Sequence, residues 1–200
     1  MTSDGLFDAL PETDAGTLAR LHDRVVAAAT ADGLLDVAYR TVPSPVGELL
    51  LAATEDGLVR VAFGASEQVL ASLAERISPR VLHAPGRLDG VARQLDEYFA
   101  GRRTSFELAV DRRLSRGFRR TVLARLAEVG YGRTASYAQL AAAAGSPRAV
   151  RAVGTACATN PLPIVVPCHR VVRSDGSAGG YVGGAEAKRT LLTLETTGSE

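Results

Sequence analysis

A cysteine and a histidine stand side by side late in the chain, in the run Pro167-Cys168-His169-Arg170. A thiol must ionise before it acts as a nucleophile, and a neighbouring imidazole or positive charge lowers its pKa. Because neighbours on an extended segment point to opposite faces, we expect His169 to act on Cys168 at an angle or through a bridging water. These residues are therefore the candidate nucleophile and base.

The segments on either side of this pair must hold it in place. The run 161–166 is apolar, short and flanked by prolines, which predicts a buried extended segment. After the pair, four glycines surround one aromatic residue in the run 179–184. Glycine lets a backbone come close to another group, so this run is interpreted as one wall of a site for a flat ligand.

Two predicted helices precede the pair. Ser136 and Gln139 have the spacing of a capping box and open an Ala-rich helix. A second helix is predicted to begin at Ser146, with proline at its first position and with Arg148 and Arg151 one turn apart. Two helices joined by a Gly-Ser turn resemble a DNA-binding helix-turn-helix, although an ordinary helical hairpin gives the same pattern.

The charge of the chain is unevenly distributed. Residues 1–100 hold 15 acidic and 8 basic side chains, a net charge of −7, whereas residues 101–200 hold 7 acidic and 15 basic side chains, a net charge of +8. All but one of the basic residues are Arg, whose planar fork binds phosphate oxygens in two places. The second half is therefore predicted to face a polyanion such as nucleic acid.

Length and composition narrow the class of protein. A chain of 200 residues that is 46% hydrophobic and 22% charged is typical of globular domains, which argues against disorder and coiled coil. It contains no apolar run of about 18 residues, and its start lacks the features of a signal peptide. We therefore expect a soluble, intracellular protein. Two cysteines are too few for a disulfide framework or a zinc cage.

The elements that must support the candidate site are predicted from periodicity and turn residues. After a loose tail of about a dozen residues, the first half is expected to contain a helix from Asp14 to Gly33, strands at 37–42, 48–53 and 58–63, and helices at 69–77 and 88–99. The second half is mostly helical, beginning with a helix at 118–129, and the Arg-rich stretch 101–116 is the best candidate for a linker. The predicted fold class is α+β, with a small antiparallel sheet and helices in the first half of the chain and mostly helices in the second half.

Around the Cys168–His169 pair the chain resembles the O6-alkylguanine-DNA alkyltransferases, also called methylated-DNA–protein-cysteine methyltransferases. The resemblance is close over 131–195 and centres on the nine residues 164–172, of sequence IVVPCHRVV. Looser similarity extends back through 98–101 to 41–47. The resemblance implies a ribonuclease H-like domain at 36–105 and a winged-helix-like domain at 112–196, whereas residues 1–35 form an extension with a helix and no counterpart.

The resemblance also implies an irreversible reaction in which Cys168 accepts the alkyl group from O6 of guanine in DNA, with O4-alkylthymine left open as a second substrate. His169 polarises the thiol through a water, and Glu195 orients the histidine. Tyr137 rotates the nucleotide out and hydrogen-bonds the base, and Arg151 fills the vacated stack. The other implied contacts are Asn160, Pro163, Val171, Tyr181 and Val182 around the base, and Ser136 and Arg148 toward DNA.

The implied partner is double-stranded DNA containing alkylated guanine, and the family expectation is a cytoplasmic monomer, nucleoid-associated when on DNA. No metal or organic cofactor is predicted, because residues 1–100 contain no Cys and only His22 and His83, so the zinc of some family members has no ligands. Cys157 is interpreted as a small buried hydrophobic residue. Diffuse phosphate or solvent contacts are expected for Arg119, Arg120, Arg148 and Arg173.

Some positions depart from the family pattern, and rival functions remain open. Arg119 and Leu123 replace the Gln and Trp of many members, and Val182 replaces a small residue in the pocket wall. One rival is a lesion-binding protein without turnover, but such proteins lack the thiol that Cys168 supplies. A cysteine hydrolase would leave the basic half unexplained. A transcription regulator would bind an intact operator.

Overall fold

The structure is a computed structural model that describes residues 14–64 and 66–197. The predicted N-terminal tail lies outside the described residues. The chain divides into two compact units, Met1–Leu35 and Asp36–Glu200.

Within the described residues the chain forms seven α-helices and six strands. The helices are α1 (Ala15–Ala31), α2 (Glu67–Arg76), α3 (Asp89–Phe99), α4 (Gly117–Leu126), α5 (Tyr137–Ala143), α6 (Val150–Ala158) and α7 (Gly184–Thr197). The strands are β1 (Val37–Val42), β2 (Leu49–Thr54), β3 (Gly57–Phe63), β4 (Val81–His83), β5 (Ala135–Ser136) and β6 (Val171–Val172). Short 3-10 turns occur at Pro85–Leu88 and Cys168–Arg170.

The first unit contains α1, and the predicted helix is confirmed. The Asp14 carboxylate accepts a hydrogen bond of 2.8 Å from the Thr17 backbone N–H, as an N-cap residue does. After the last turn, Gly33 adopts a left-handed φ of 64°, which glycine tolerates at the end of a helix.

The sheet of the second unit has the strand order β3-β2-β1-β4. The predicted meander is confirmed, because β1 pairs antiparallel with β2 and β2 pairs antiparallel with β3. A fourth strand, β4, pairs parallel with β1, so the sheet is mixed rather than purely antiparallel. Three residues are too few to show a period of two, which is why β4 was not predicted.

Every residue of the central strand β2 is buried, because both faces of the sheet are covered. Leu49 and Leu51 face a large core that includes α3, α4, α5, α6 and Cys168. Leu50 and Ala52 point the opposite way, into a smaller core with Leu73 of α2. This alternation follows from the period of two along a strand. The larger core therefore joins the sheet directly to the cysteine-bearing segment.

The predicted linker, residues 101–116, is hydrogen-bonded to the edge of the sheet. Leu58 N–H donates to Ala109 O at 2.9 Å, and Asp111 N–H donates to Leu58 O at 2.9 Å. Thr54 Oγ1 also donates to the Asp111 carboxylate at 2.6 Å. Gly57 is required beside this stretch, because a Cβ there would lie 2.3 Å from Ala109 O. The stretch covers the edge strand β3, which would otherwise expose unpaired backbone groups.

The capping box of α5 is confirmed. Gln139 N–H donates to Ser136 Oγ at 3.1 Å, and Ser136 N–H donates to Gln139 Oε1 at 2.7 Å. The predicted start of the next helix at Ser146 is wrong, since α6 begins at Val150. Ser146 O instead accepts from Ala149 N–H at 2.8 Å, closing a separate turn that contains Arg148. Serine followed by proline favours such a turn.

The prediction of an extended segment at 161–166 is also wrong. These residues form consecutive turns, in which Val166 N–H donates to Leu162 O at 2.7 Å. Ile164 has a left-handed φ of 74°, the only non-glycine residue with positive φ among those described. The segment is buried, as predicted, but its backbone groups bond within the loop rather than along a strand. No helix in the described ranges is long and apolar enough to cross a membrane.

Candidate active site

Cys168 opens a 3-10 turn that follows the buried loop, and its side chain is buried. The Asn160 amide donates a hydrogen bond of 3.2 Å to Cys168 Sγ and one of 2.8 Å to Val166 O. The Asn160 carbonyl accepts from Leu162 N–H at 3.0 Å. One buried amide thus fixes both the loop and the position of the thiol.

His169 is fully buried and contacts Glu195 of α7, with His169 Nε2 2.8 Å from Glu195 Oε1. An ionised carboxylate only accepts hydrogen bonds, so we assign the proton of the neutral ring to Nε2. Nδ1 is then the free acceptor, and it is buried without a hydrogen-bond partner among the described residues. The ring is therefore oriented to receive a proton at Nδ1.

The Glu195 carboxylate collects donors from several parts of the chain. Arg170 donates from Nε to Oε2 at 2.8 Å and from a terminal nitrogen to Oε1 at 2.9 Å. Tyr98 Oη donates to Oε1 at 2.7 Å, and Gly132 N–H donates to Oε2 at 3.2 Å. These bonds supply a reason for an acid in the last turn of a helix, where the helix dipole disfavours it.

The pKa values of the pair follow from burial and from this network. Burial alone would raise the pKa of Glu195, but hydrogen bonds from His169 and Arg170 lower it to about 2. Burial lowers the pKa of His169 below its usual value, and this outweighs the opposing effect of Glu195. The carboxylate is thus charged, with Arg170 as its counter-ion, and the imidazole is neutral at pH 7.

The cysteine differs from the sequence-based expectation of a thiol with a lowered pKa. Burial raises the pKa of Cys168 to about 11, although the hydrogen bond from Asn160 opposes this. The thiol is therefore protonated in the resting site at neutral pH. Its ionisation must accompany transfer of the proton to a base, and His169 Nδ1 is a buried acceptor without a partner on the same turn.

Lys188 is a member of the site that sequence reasoning missed. It is fully buried on α7, and Nζ donates to Val171 O at 2.5 Å. Burial lowers its pKa, while the nearby thiols of Cys168 and Cys157 act in the opposite direction. One signal was available, because the single lysine of the chain stands two helical turns before Glu195 on the apolar face of α7.

Tyr137 begins α5 and is placed by the short parallel pairing of β5 with β6, in which Ala135 pairs with Val171. This pairing holds the start of α5 beside the turn that carries Cys168. A Cβ on Gly179 would lie 3.0 Å from Tyr137 Oη, so the glycine-rich run packs directly against the phenol. Burial raises the pKa of Tyr137, and the group stays protonated as a donor.

The glycine-rich run is supported from the sheet by Phe63 of β3. Tyr181 lies edge-on to Phe63, with ring centroids 5.6 Å apart, and edge-on to His169 at 6.2 Å. A Cβ on Gly183 would lie 2.5 Å from the Phe63 ring, so only glycine permits this packing. Tyr181 Oη is buried without a partner in the described chain, and Val182 is exposed.

The remaining predicted site residues fall into two groups. Pro163 and Val171 are buried, in the loop before and the strand after the cysteine turn. Ser136 caps α5, whereas Arg148 is exposed in the turn before α6 and Arg151 is exposed in the first turn of α6. Cys157 is buried, as predicted, and burial raises its pKa to about 12. No three His, Cys, Asp or Glu side chains in 14–64 and 66–197 converge as a metal site would require.

A buried cysteine, an imidazole oriented by a carboxylate, and exposed arginines beside the helix pair are the features expected of a DNA-binding protein with a cysteine nucleophile. Comparison with known families identifies which family of such proteins the chain matches. Residues 117–197 match the DNA binding domain of 6-O-methylguanine DNA methyltransferase, and residues 37–112 match its ribonuclease-like domain. The chain belongs to the 6-O-methylguanine DNA methyltransferase family.

Individual relatives agree with this assignment. The methylated-DNA–protein-cysteine methyltransferase of Mycobacterium tuberculosis is 40% identical over 162 residues, covering 80% of this chain and 92% of the relative. The constitutive Bacillus subtilis enzyme of the same name is 39% identical, covering 78% and 94%. The M. tuberculosis OGT protein solved in complex with DNA superposes with a TM-score of 0.70 at 38% identity, covering 80% and 94%.

Proposed function

We propose that this protein repairs O6-alkylguanine in DNA by direct reversal, moving the alkyl group irreversibly to Cys168. The observation that carries the proposal is the buried His169–Glu195 pair, whose free ring nitrogen lies on the same short turn as the thiol. The relatives named above as methylated-DNA–protein-cysteine methyltransferases, and the relative solved with DNA, support the same reaction.

The chemical step forms one bond and breaks one. The thiol proton of Cys168 passes to His169 Nδ1, directly or through one water, and the sulfur attacks the alkyl carbon of the lesion. The sulfur–carbon bond forms as the bond from that carbon to O6 breaks, and the electron pair remains on guanine. Guanine takes up one proton, supplied by Tyr137 or by solvent, which restores the base, and His169 returns its proton to solvent, so protons and charge balance. The thioether does not give up its alkyl group to water, because the Cys168 thiolate is a poor leaving group from carbon, so each protein molecule acts once.

The resting pKa of Cys168 is compatible with this order of events. A protonated, buried thiol does not react with small electrophiles at random. Glu195 stabilises the imidazolium that forms when His169 accepts the proton, as the carboxylate of a catalytic triad does. Lys188 lies where its positive charge favours the thiolate. Asn160 keeps a hydrogen bond on the sulfur throughout.

The target base must leave the duplex, because a buried thiol cannot reach its O6 substituent in line within the stack. Tyr137 helps to rotate the nucleotide and donates its phenol proton in a hydrogen bond to the base. Arg151, exposed on α6, fills the vacated position in the stack. Ser136 and Arg148 contact the DNA backbone. Such contacts set the register without reading sequence.

The extruded base is held by the glycine-rich run and the cysteine loop. Tyr181 provides a flat apolar surface, and Pro163, Val171 and Val182 complete the pocket. Val182 has no hydroxyl to donate to O6, so the hydrogen bonds to the base come from Tyr137 and from backbone groups. No metal or organic cofactor takes part in this scheme.

The two family-matched regions have separate tasks in this proposal. Residues 112–196 bind DNA and accept the alkyl group, residues 36–105 support them, and residues 1–35 form an extension. The protein acts as a cytoplasmic monomer that associates with the nucleoid when it is bound to DNA.

Mass spectrometry of the intact protein and of its peptides tests the proposal. The protein is incubated with a duplex that carries one O6-methylguanine, beside an undamaged duplex and a Cys168→Ala variant. We expect one added methyl group on Cys168, absent from both controls. No added mass with retained binding to the lesion would instead indicate a lesion-binding protein, and no added mass without binding would favour a hydrolase.

A further inference from the structure

Helix α3, which lies within residues 36–105, contacts Glu195 of the His169–Glu195 pair. Tyr98, in the last turn of α3, is fully buried, and its hydroxyl donates to Glu195 Oε1 at 2.7 Å. The same oxygen is 2.8 Å from His169 Nε2. Tyr98 and Glu195 are 97 positions apart in the chain. A side chain outside residues 112–196 therefore shares an acceptor atom with the candidate base.

The position of this hydroxyl is fixed by the packing of its ring. Phe99 and Phe106 each lie with ring centroids 5.3 Å from Tyr98, and Tyr131 lies edge-on at 6.2 Å. Burial, followed by the charge of Glu195, raises the pKa of Tyr98, so the phenol is always protonated and always a donor. A rigid, permanent donor defines where the Glu195 oxygen can lie.

We infer that Tyr98 is a positioning residue for alkyl transfer, whose hydroxyl holds the Glu195 carboxylate in line with His169 Nε2. This inference rests on the proposed function. It adds a role for residues 36–105, which supply a side chain to the His169–Glu195 pair as well as stabilising the fold. Arg170 neutralises the carboxylate from one side, and Tyr98 fixes it from α3.

The direction of the expected pH effect follows from the groups that face this carboxylate. Among the described residues they include His169 and Arg170 from the cysteine turn, Tyr98 from α3, and the Gly132 N–H and Tyr131 from the segment after α4. Lys188 adds positive charge near His169. Loss of one donor makes the carboxylate a stronger acceptor, which favours the protonated form of His169. Alkyl transfer requires neutral His169. The acid limb of the transfer reaction, which is the low-pH side of its rate profile, therefore moves to higher pH.

The test compares Tyr98→Phe with wild type in the full-length protein, by single-turnover transfer from an O6-methylguanine duplex between pH 5 and 9. We expect about a tenfold lower rate, the size of one hydrogen bond to a charged group, and an acid limb raised by about half to one pH unit. Tyr39→Phe is the control, because this phenol lies on β1 against the His83 ring and is not among the groups that face the carboxylate. Its acid limb should coincide with that of wild type.

A double-mutant cycle with Glu195→Gln separates positioning from general stability. If Tyr98 acts through the carboxylate, Tyr98→Phe has little further effect on the rate in the Glu195→Gln background. An unmoved acid limb, or additive losses in the cycle, would overturn the inference. Failure of wild type itself to accept a methyl group would instead refute the proposed function.

A structure-preserving variant covers the case in which Tyr98→Phe does not fold. Replacing Tyr98 by 3-fluorotyrosine keeps the ring and the hydroxyl but makes the hydroxyl a stronger donor. The inference predicts an acid limb shifted to lower pH, opposite to that of Tyr98→Phe. An acid limb identical to that of wild type would contradict it.

Discussion

Glu195 is the residue on which the charges of the site converge. Its pKa falls from 4.5 in an ordinary environment to about 2 in the folded protein. A carboxyl with a lowered folded-state pKa stabilises the fold fully above its unfolded pKa, and this contribution is lost as the pH falls toward the folded value. The shift corresponds to about 3 kcal/mol of stability at neutral pH.

We therefore predict that Glu195→Gln lowers the free energy of unfolding at pH 7 by about 3 to 5 kcal/mol, because Arg170 loses its buried counter-ion. The variant should also lose less stability than wild type between pH 5 and pH 2. Urea unfolding at a series of pH values measures both effects. Glu128→Gln is the control, since Glu128 forms an exposed ion pair with Arg125. An equal acid dependence in wild type and Glu195→Gln would contradict the prediction.

Asn160 is the residue that connects the loop to the thiol. Asn160→Asp keeps the size of the side chain but removes both donors and adds a negative charge beside Cys168. We predict a further rise in the pKa of Cys168 and at least about a tenfold loss in the single-turnover rate. The rate is measured as a function of pH, with the exposed neighbour Thr159→Ala as control. A rate equal to that of wild type would show that the amide does not act on the sulfur.

Single residues were predictable where a local motif identified them and not where distant segments meet. Cys168 and His169 followed from their adjacency, and the resemblance implied Glu195. The donors Tyr98 and Arg170 were missed, because nothing in the sequence shows that α3 ends beside α7. The raised pKa of Cys168 was also missed, since burial in the larger core outweighs its polar neighbours.

At the scale of elements, the glycine-rich run depends on β3 for support. Gly183→Ala would place a methyl group 2.5 Å from the Phe63 ring, so one of the two segments must move. We predict a loss of about 1 to 3 kcal/mol in the free energy of unfolding, as for other overpacked sites, and slower repair. Gly183→Ala combined with Phe63→Leu should recover part of the stability.

Gly180→Ala provides the control for this prediction, because nothing lies within 4 Å of a Cβ at Gly180. Its free energy of unfolding should match that of wild type within about 0.5 kcal/mol. If Gly183→Ala and Gly180→Ala unfold alike, the packing of Phe63 against the run is not a constraint on its position.

Elements were predicted well where their signals are local. The meander, α1 and the capping box of α5 each have caps, turns or alternation that do not depend on the rest of the chain. The predictions were wrong where the same residues favour two alternative local structures. Ser146 formed a turn instead of a helix cap, and the apolar run 161–166 formed a buried loop because Asn160 satisfies its backbone groups.

At the scale of the whole molecule, the sheet and the helical part act on one site. Val61 N–H of β3 donates to Pro161 O at 2.8 Å, so the edge of the sheet bonds to the cysteine loop. Phe63 and Tyr98 approach the same site from β3 and α3. The sequence predicted both parts but not this contact, because it joins segments that are 100 residues apart.

The charge of the second half should act mainly through DNA binding. We predict that Arg151→Ala slows repair of a duplex substrate more than repair of the same lesion in a single strand, because only the duplex has a stack to open. Arg148→Ala, in the exposed turn before α6, should weaken binding to both substrates alike and reduce its salt dependence. Single-turnover rates on the two substrates test this difference. Equal losses for Arg151→Ala on both would rule out a role in base extrusion.

The measurement that tests the central claim most directly is the number of lesions repaired per protein molecule. A large excess of O6-methylguanine duplex is added to a known amount of protein, and restored guanine is counted until the reaction stops. Irreversible transfer to Cys168 predicts one restored guanine for each protein molecule, and none for Cys168→Ala. Continued release of product beyond that ratio, or no restored guanine with the intact thiol, would contradict the account.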